Sequence, residues 1–178
     1  GYCMDFPLEQ LYRDIRICAL YEGTTGIQSM DLLGRKMTMQ GGKAAKLLFK
    51  EISGALEQAN DLEKCQRHAA SLSDSLNDFQ QVLTKLMNVA AEGKIEEFLS
   101  DANLFMELCG NMVIGWQWLK QGIAAEKGLN ADEGQEAFFE SKIKTMDFYF
   151  AYELPKTKGL VERLLSHEII TLKDEKEY

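Results

Sequence analysis

LEKCQRHAASLSDSLNDFQQVLTKLMNVA, residues 62–90, is the stretch on which the fold turns. Leu62, Cys65, Ala69, Leu72, Leu76, Phe79, Leu83, Leu86 and Ala90 step by three and four without a miss. This spacing predicts one long helix with a narrow apolar seam, packed against neighbours that run nearly parallel or antiparallel to it. Gly93 closes the helix, and Asn60-Asp61 offers a cap ahead of it.

Outward from this stretch helix follows helix, because only Pro7 and Pro155 interrupt the chain. On the N-terminal side, Leu47, Leu48, Ile52, Ala55 and Leu56 predict a helix to about Ala59, with a break before it at Gln40-Gly41-Gly42. On the C-terminal side, Ile95 to Leu99 makes a short amphipathic turn and Ser100-Asp101 opens a long segment. Leu104, Leu108, Met112, Gly115, Leu119 and Ile123 line one side of it. Phe105, Trp116 and Trp118 lie nearby and read as packed aromatic core in preference to a cofactor pocket. Gly110, Gly115 and Gly122 each cost a helix up to about 1 kcal/mol relative to alanine, so they predict close approach by a partner helix. Gly128 to Gly134 is read as a loop. Phe138, Phe139, Ile143, Met146, Tyr149, Phe150 and Glu153 describe a helix with a broad aromatic face, which Pro155 kinks or ends. Leu160, Leu164 and Leu165 support a last helix, and residues 168–172 are a helix end or an extended tail. The expectation is an all-α fold, an up-and-down bundle from about residue 43 to 167 preceded by a helix-turn-helix element.

That preceding element holds the one place where chemistry is expected, Tyr21-Glu22-Gly23-Thr24-Thr25-Gly26-Ile27-Gln28. Before it, Leu8, Leu11, Tyr12, Ile15, Cys18 and Ala19 predict an amphipathic helix from about Pro7 to Leu20, which Gly23 ends. Thr25 followed three residues later by Gln28 has the form of a capping box, so a second helix is expected to start there and to carry Ile27, Met30, Leu33 and Met37. Its first amide N–H groups would point out of the bend and attract an anion or a ribose-phosphate oxygen. Glu22 then stands between two helix ends, held on rigid elements, as a general base requires. The same turn joins helices in many inactive proteins, so spacing alone assigns no catalyst.

Composition narrows the partners. With 178 residues, 46% of them hydrophobic, the chain can bury one core, and a single domain is the default. A net charge of −8 with interspersed basic residues argues against nucleic acid. No apolar run reaches the roughly 20 residues of a membrane span, and no signal peptide is visible. The absence of an initiator methionine leads us to expect a processed product or a fragment, with Gly1 native or a tag remnant. Cys3, Cys18, Cys65 and Cys109 match neither zinc motifs nor a disulfide framework, so a reduced, cytoplasmic setting is expected, with buried inert thiols at Cys18 and Cys65. His68 and His167 read as surface or helix-cap residues, and no metal site is expected. Residues 173–178 read as a solvated charged tail.

The string Pro7-Leu8-Glu9-Gln10-Leu11-Tyr12-Arg13-Asp14-Ile15-Arg16, running into Tyr21 to Gln28, resembles the C-terminal catalytic segment of flavin-dependent acyl-CoA dehydrogenases. Met30-Asp31-Leu32-Leu33-Gly34-Arg35-Lys36 looks like the branch of that family with an extra helical domain after the dehydrogenase core. The resemblance implies residues 1–40 as terminal helices of the core, 41–170 as the helical extension and 171–178 as the tail. It implies FAD as cofactor and Glu22 as the base that takes the α-proton of an acyl-CoA thioester while hydride leaves the β-carbon for the flavin. Gly23, Thr24, Thr25, Gly26 and Gln28 match positions along the flavin. An electron-transfer acceptor and a homo-oligomer are implied for the parent oxidoreductase. The domains that complete such a site are not in these residues, so the isolated chain is expected to be inactive. A freestanding helical interaction module with a relic motif is the alternative, separable by whether the reading frame continues upstream.

Overall fold

The computed structural model describes residues 3–5, 7–21, 23–131, 134–166, 168 and 170–172. Among the described residues there is no strand, and the helices are α1 (Leu8–Arg16), α2 (Cys18–Tyr21), α3 (Thr25–Asp31), α4 (Met39–Ala59), α5 (Glu63–Ala91), α6 (Ile95–Ser100), α7 (Ala102–Asn130), α8 (Glu136–Phe148) and α9 (Thr157–Leu165). A π-helical turn, Leu32–Lys36, follows α3. A second, Tyr149–Glu153, and a 3-10 turn, Leu154–Lys156, join α8 to α9. The all-α expectation holds, and no described helix is long and apolar enough to cross a membrane.

The seam read from residues 62–90 forms α5, with Cys65, Leu72 and Phe79 fully buried, but past Phe79 the buried position is Val82, and the expected Leu83 is half-buried. Its N-terminus is not capped by Asn60-Asp61. Leu62 takes the cap position in an extended conformation without a side-chain cap. The carboxylate of Glu126, buried on α7, accepts the Lys64 N–H at 3.1 and 3.2 Å. A cap borrowed from another helix places negative charge at the positive end of the α5 dipole and ties the two helices in register. The C-terminus ends as expected. Gly93 has φ +80°, its N–H donates to the Ala90 carbonyl at 3.0 Å, and the Lys94 N–H donates to that of Val89 at 3.3 Å. This pair of bonds needs a left-handed residue, which glycine supplies without strain.

Helix α7 is the centre, touching α3, α4, α5, α8 and α9. Phe105, Leu108, Met112 and Leu119 on it are fully buried. The Phe79 ring of α5 lies 5.1 Å from Phe105 and 5.9 Å from Phe49 of α4, so aromatic contacts run through the bundle axis. Trp116 and Trp118 are half-buried at the margin of this core rather than inside it. At Gly115 an added Cβ would lie 3.4 Å from Leu154 and Tyr149, and at Gly122 it would collide with the Met146 thioether. These two glycines mark close approach as expected. Gly110 does not, since nothing lies within 4 Å of its Cβ position. Gly128 belongs to the last turn of α7 rather than to a loop, and the Phe139 ring occupies the space a side chain there would need.

Other expectations change in detail. The break at residues 40–42 is real, with φ of +52° at Gln40, +67° at Gly41 and +76° at Gly42. The α8 aromatic face is narrower than expected, since Phe138 is exposed while Ile143, Met146, Tyr149 and Phe150 are buried. Tyr149 donates its hydroxyl to the Asn111 carbonyl at 2.8 Å, which fastens the π turn to α7. Lys85 of α5 donates to the carbonyls of Leu164, at 3.0 Å, and Ser166, placing a cation on the C-terminal carbonyls of α9. Cys18 is exposed rather than buried. The α1 helix it follows buries none of its residues.

The two kinds of glycine on α7 should respond oppositely to a methyl group. Gly110→Ala is expected to stabilise the chain by about 0.5–1 kcal/mol, because the site is open and helical. Gly122→Ala should cost about 1–3 kcal/mol, because Met146 is fully buried and its tip can move only by displacing other core atoms. Urea denaturation of both variants gives the signs, and equal effects would contradict the packing at Gly122.

Candidate functional site

The bend between α2 and α3 places the motif on two helix ends. The Tyr21 N–H closes the first on the Ile17 carbonyl at 2.8 Å, and the Tyr21 side chain is exposed. Glu22, the candidate base, lies outside the described residues. Gly23 and Thr24 cross the gap, and Thr24, with φ −60° and ψ 125°, takes the cap position of α3 without a side-chain hydrogen bond. The expected capping box therefore does not form. The helix starts one residue earlier than the Thr25–Gln28 pair requires, so Thr25 is already helical. The Gln28 N–H donates to the Thr24 carbonyl at 3.1 Å, and its Nε2 lies 3.4 Å from where a Cβ on Gly23 would stand.

This register leaves polar groups facing out. Gly23, Thr24, Thr25 and Gln28 are exposed and Gly26 is half-buried. The Thr24 and Thr25 hydroxyls make no hydrogen bond among the described residues. The amides ahead of Gln28 have no intrahelical carbonyl to meet. Nothing lies within 4 Å of a Cβ position on Gly26, so the first turn of α3 is open to close approach from outside.

What holds α3 in place was missed in the sequence. Ser29, 1% exposed, is its one buried residue among those described. Ser29 Oγ lies 2.8 Å from the Gly26 carbonyl and 2.5 Å from the Asn103 Oδ1 of α7. Leu33 and Met37, four and eight residues on, continue that face into the core, while Ile27 and Met30 point to solvent. The signal available was the run of four-residue steps from Ser29. It was hidden because a serine does not mark an apolar face. The π turn also changes the periodicity, with the Met37 N–H reaching back to the Leu32 carbonyl at 3.0 Å. Gly34 rests on Leu99, 3.6 Å from its Cβ position. Arg35 Nε lies 2.5 Å from Asp31, and its hydrogen bond holds the Asp31 carboxyl below the usual range.

A second polar cluster lies away from the bend. His68 is 5% exposed, within α5, and not at a surface or cap as expected. Its Nε2 is 2.6 Å from Asp147 and its ring centroid 4.6 Å from that of Phe150. Arg67 donates to the same Asp147 oxygen at 2.7 Å. Burial pushes the His68 pKa down against the pull of Asp147. At Asp147 burial pushes the other way, but the hydrogen bonds from Arg67 and His68 outweigh it and keep the carboxyl low. Arg67 Nε also lies 3.3 Å from His68 Nε2, so the imidazole, the guanidinium and the Asp147 carboxylate form one structural cluster. His167, the other histidine, lies outside the described residues. The buried thiols are inert, pushed up to about 12 at Cys65 and about 11 at Cys109, chiefly by burial. No group of His, Cys, Asp or Glu among the described residues could hold a metal ion. A groove of about 260 Å³ between α4 and α7 beside Trp116 carries Glu51, Lys120 and Lys127, charges of both signs that favour no one ligand class.

A family model described as Acetyl-CoA dehydrogenase C-terminal like matches residues 48–172. The chain is 36% identical over 175 residues to 3-methylmercaptopropionyl-CoA dehydrogenase of Ruegeria pomeroyi, an alignment covering 96% of this chain and 28% of that protein. It is 28% identical over 175 residues to a broad-specificity linear acyl-CoA dehydrogenase of Mycobacterium tuberculosis, covering 92% of this chain and 28% of the relative. A butyryl-CoA dehydrogenase of Syntrophomonas wolfei is 26% identical over 168 residues, covering 92% and 27%. The chain thus spans little more than a quarter of the length of these relatives.

The His68 pair sets a pH dependence. A lowered folded pKa means that the unfolded chain takes up the proton first. The stabilisation is therefore complete above the ordinary imidazole value of 6.5 and is lost as pH falls through it. The urea midpoint should drop between about pH 7.5 and about pH 5.5, and drop less in His68→Gln, which can still donate to Asp147 without titrating. Equal drops would show that His68 does not drive the loss.

Proposed function

Because the chain belongs to the Acetyl-CoA dehydrogenase C-terminal-like family, we propose that it is the C-terminal part of a flavin enzyme that introduces an α,β double bond into acyl-CoA thioesters. The observation that carries this reading is the α2–α3 bend, where the first turn of α3 presents amides and the Thr24 and Thr25 hydroxyls that have no partner among the described residues, beside an open Gly26. In this proposal residues 1–40 complete the dehydrogenase core, 41–170 form the extension and 171–178 are a tail. Leu8, Leu11, Tyr12 and Ile15 are exposed on α1, an apolar face suited to packing against the rest of the core.

Glu22 is the proposed base. A carboxylate in water is too weak to take a proton from an α-carbon. The closed site must raise its basicity by excluding water, and must stabilise the developing enolate by hydrogen bonds to the thioester oxygen. In the proposal the backbone N–H of the base residue would be one such donor. Gly23, Thr24, Thr25, Gly26 and Gln28 are the proposed contacts to FAD, and they fit it. The open space over Gly26 admits close approach, and the α3 amides and threonine hydroxyls offer donors to ribityl or phosphate oxygens. The bound flavin would supply the hydride acceptor for the β-carbon. An electron-transfer acceptor and a homo-oligomeric assembly complete the proposal for the parent enzyme.

The isolated chain should purify colourless, because an exposed bend cannot bury the about 70–90% of a ligand that real pockets cover. A flavin absorbance band in the purified chain would contradict this.

In the full-length enzyme, Glu22→Gln should keep flavin and substrate affinity while slowing anaerobic bleaching of the flavin by acyl-CoA by at least about 10²–10⁴-fold. Glu9 and Asp14 are the controls. Glu9 pairs with Arg13 at 2.8 Å, and Asp14 accepts from Gln10 at 2.8 Å, so their amide variants should change stability more than turnover. Near-normal bleaching in Glu22→Gln removes the base assignment.

A further inference from the structure

The helix that carries the motif is short, and its outward residues Ile27 and Met30 are exposed. Among the described residues, both polar and apolar contacts hold it to the bundle. Leu33 and Met37 anchor the π turn at its C-terminal end by apolar burial. Within α3 the attachment is polar, with Ser29 Oγ 2.5 Å from Asn103 Oδ1 of α7 and 2.8 Å from the Gly26 carbonyl of its own first turn. Asn103 belongs to the first turn of α7, inside the segment matched by the C-terminal family model.

We propose that Ser29 and Asn103 are a positioning pair, through which the helical extension sets the orientation of the catalytic bend. The inference rests on the reading of residues 22–28 as the reacting site and goes beyond it by assigning a task to α7. Apolar contact at Leu33 and Met37 tolerates sliding and rotation, because it has no preferred direction. A buried hydroxyl has one, because its single proton must point at an acceptor oxygen, and the Gly26 carbonyl and Asn103 Oδ1 together confine where Ser29 Oγ can sit. The Gly26 carbonyl it holds lies in the first turn of α3, so rotation of that turn moves the amides and hydroxyls at residues 24–26 together. Neither side chain is required to touch substrate or flavin.

Asn103 is exposed, so Asn103→Ala can be made without opening the core. Asn103→Asp keeps an oxygen in place of Oδ1 and serves as the conservative rescue, and Ser29→Ala removes the hydroxyl from the other side. All are made in the full-length enzyme. Hydrogen exchange should accelerate at amides 24–31 in Asn103→Ala and Ser29→Ala, with α5 and the rest of α7 unchanged. The flavin absorbance envelope should shift, and kcat should fall about 10–100-fold with KM changed less than about threefold, since misplacing an aligned site costs rate before affinity. Asn103→Asp should restore most of both readouts, and the double variant should lose little more than either single one. Unchanged exchange and normal flavin bleaching in Asn103→Ala, beside a disabled Glu22→Gln enzyme, overturn the positioning pair and leave the base reading intact. A uniform loss of protection across the bundle, with kcat and KM changing together, also overturns it, because that pattern is general destabilisation. Normal bleaching in Glu22→Gln instead removes the base reading beneath it, whatever the exchange at amides 24–31 shows.

Discussion

Helix α7 has to be buried on several sides at once, and the rest of the molecule is arranged to make that possible. A helix with one apolar stripe needs one partner, whereas α7 meets five other helices along its length. Close approach on so many sides leaves no room for side chains at every position. Where Met146 crosses, the chain has Gly122, and where Phe139 crosses, it has Gly128. Each glycine weakens the isolated helix, so α7 depends on the neighbours that its glycines admit.

The same constraint explains why polar groups are buried. Glu126 sits on a face of α7 that packs against the start of α5, and its carboxylate is tolerated there because it meets a backbone N–H at a positive helix end. His68 and Asp147 solve a similar problem where α5 meets α8, with Arg67 binding the same Asp147 oxygen from the solvent side. These contacts are directional, and they fix rotation and axial register where apolar packing alone leaves both loosely set.

The candidate site uses this rigidity without being part of the core. Its residues lie on the outer end of α3, and the frame behind them is made of Ser29, Asn103, Leu33 and Met37. Exposed polar groups on a rigid support suit contact with surfaces beyond the bundle.

The sequence by itself determined the all-α class, the long helices and most of their apolar faces. Period and punctuation are local: the steps from Leu62 to Ala90, the left-handed glycines at 41, 42 and 93, and the Tyr21–Gln28 string that marks the family are all readable from neighbours along the chain. Only the tertiary structure decided which polar residues go inside. Ser29, His68 and Glu126 are buried because partners 74, 79 and 62 residues away satisfy them, and no local pattern announces such a partner. It also decided which glycines are needed for space, separating Gly122 from Gly110, since the side chain that fills the gap comes from another helix. The cap of α3 at Thr24 and the cap of α5 from Glu126 fall in the same class. Helix ends are set by competition among several nearby donors and acceptors, and packing settles that competition after the helices have formed.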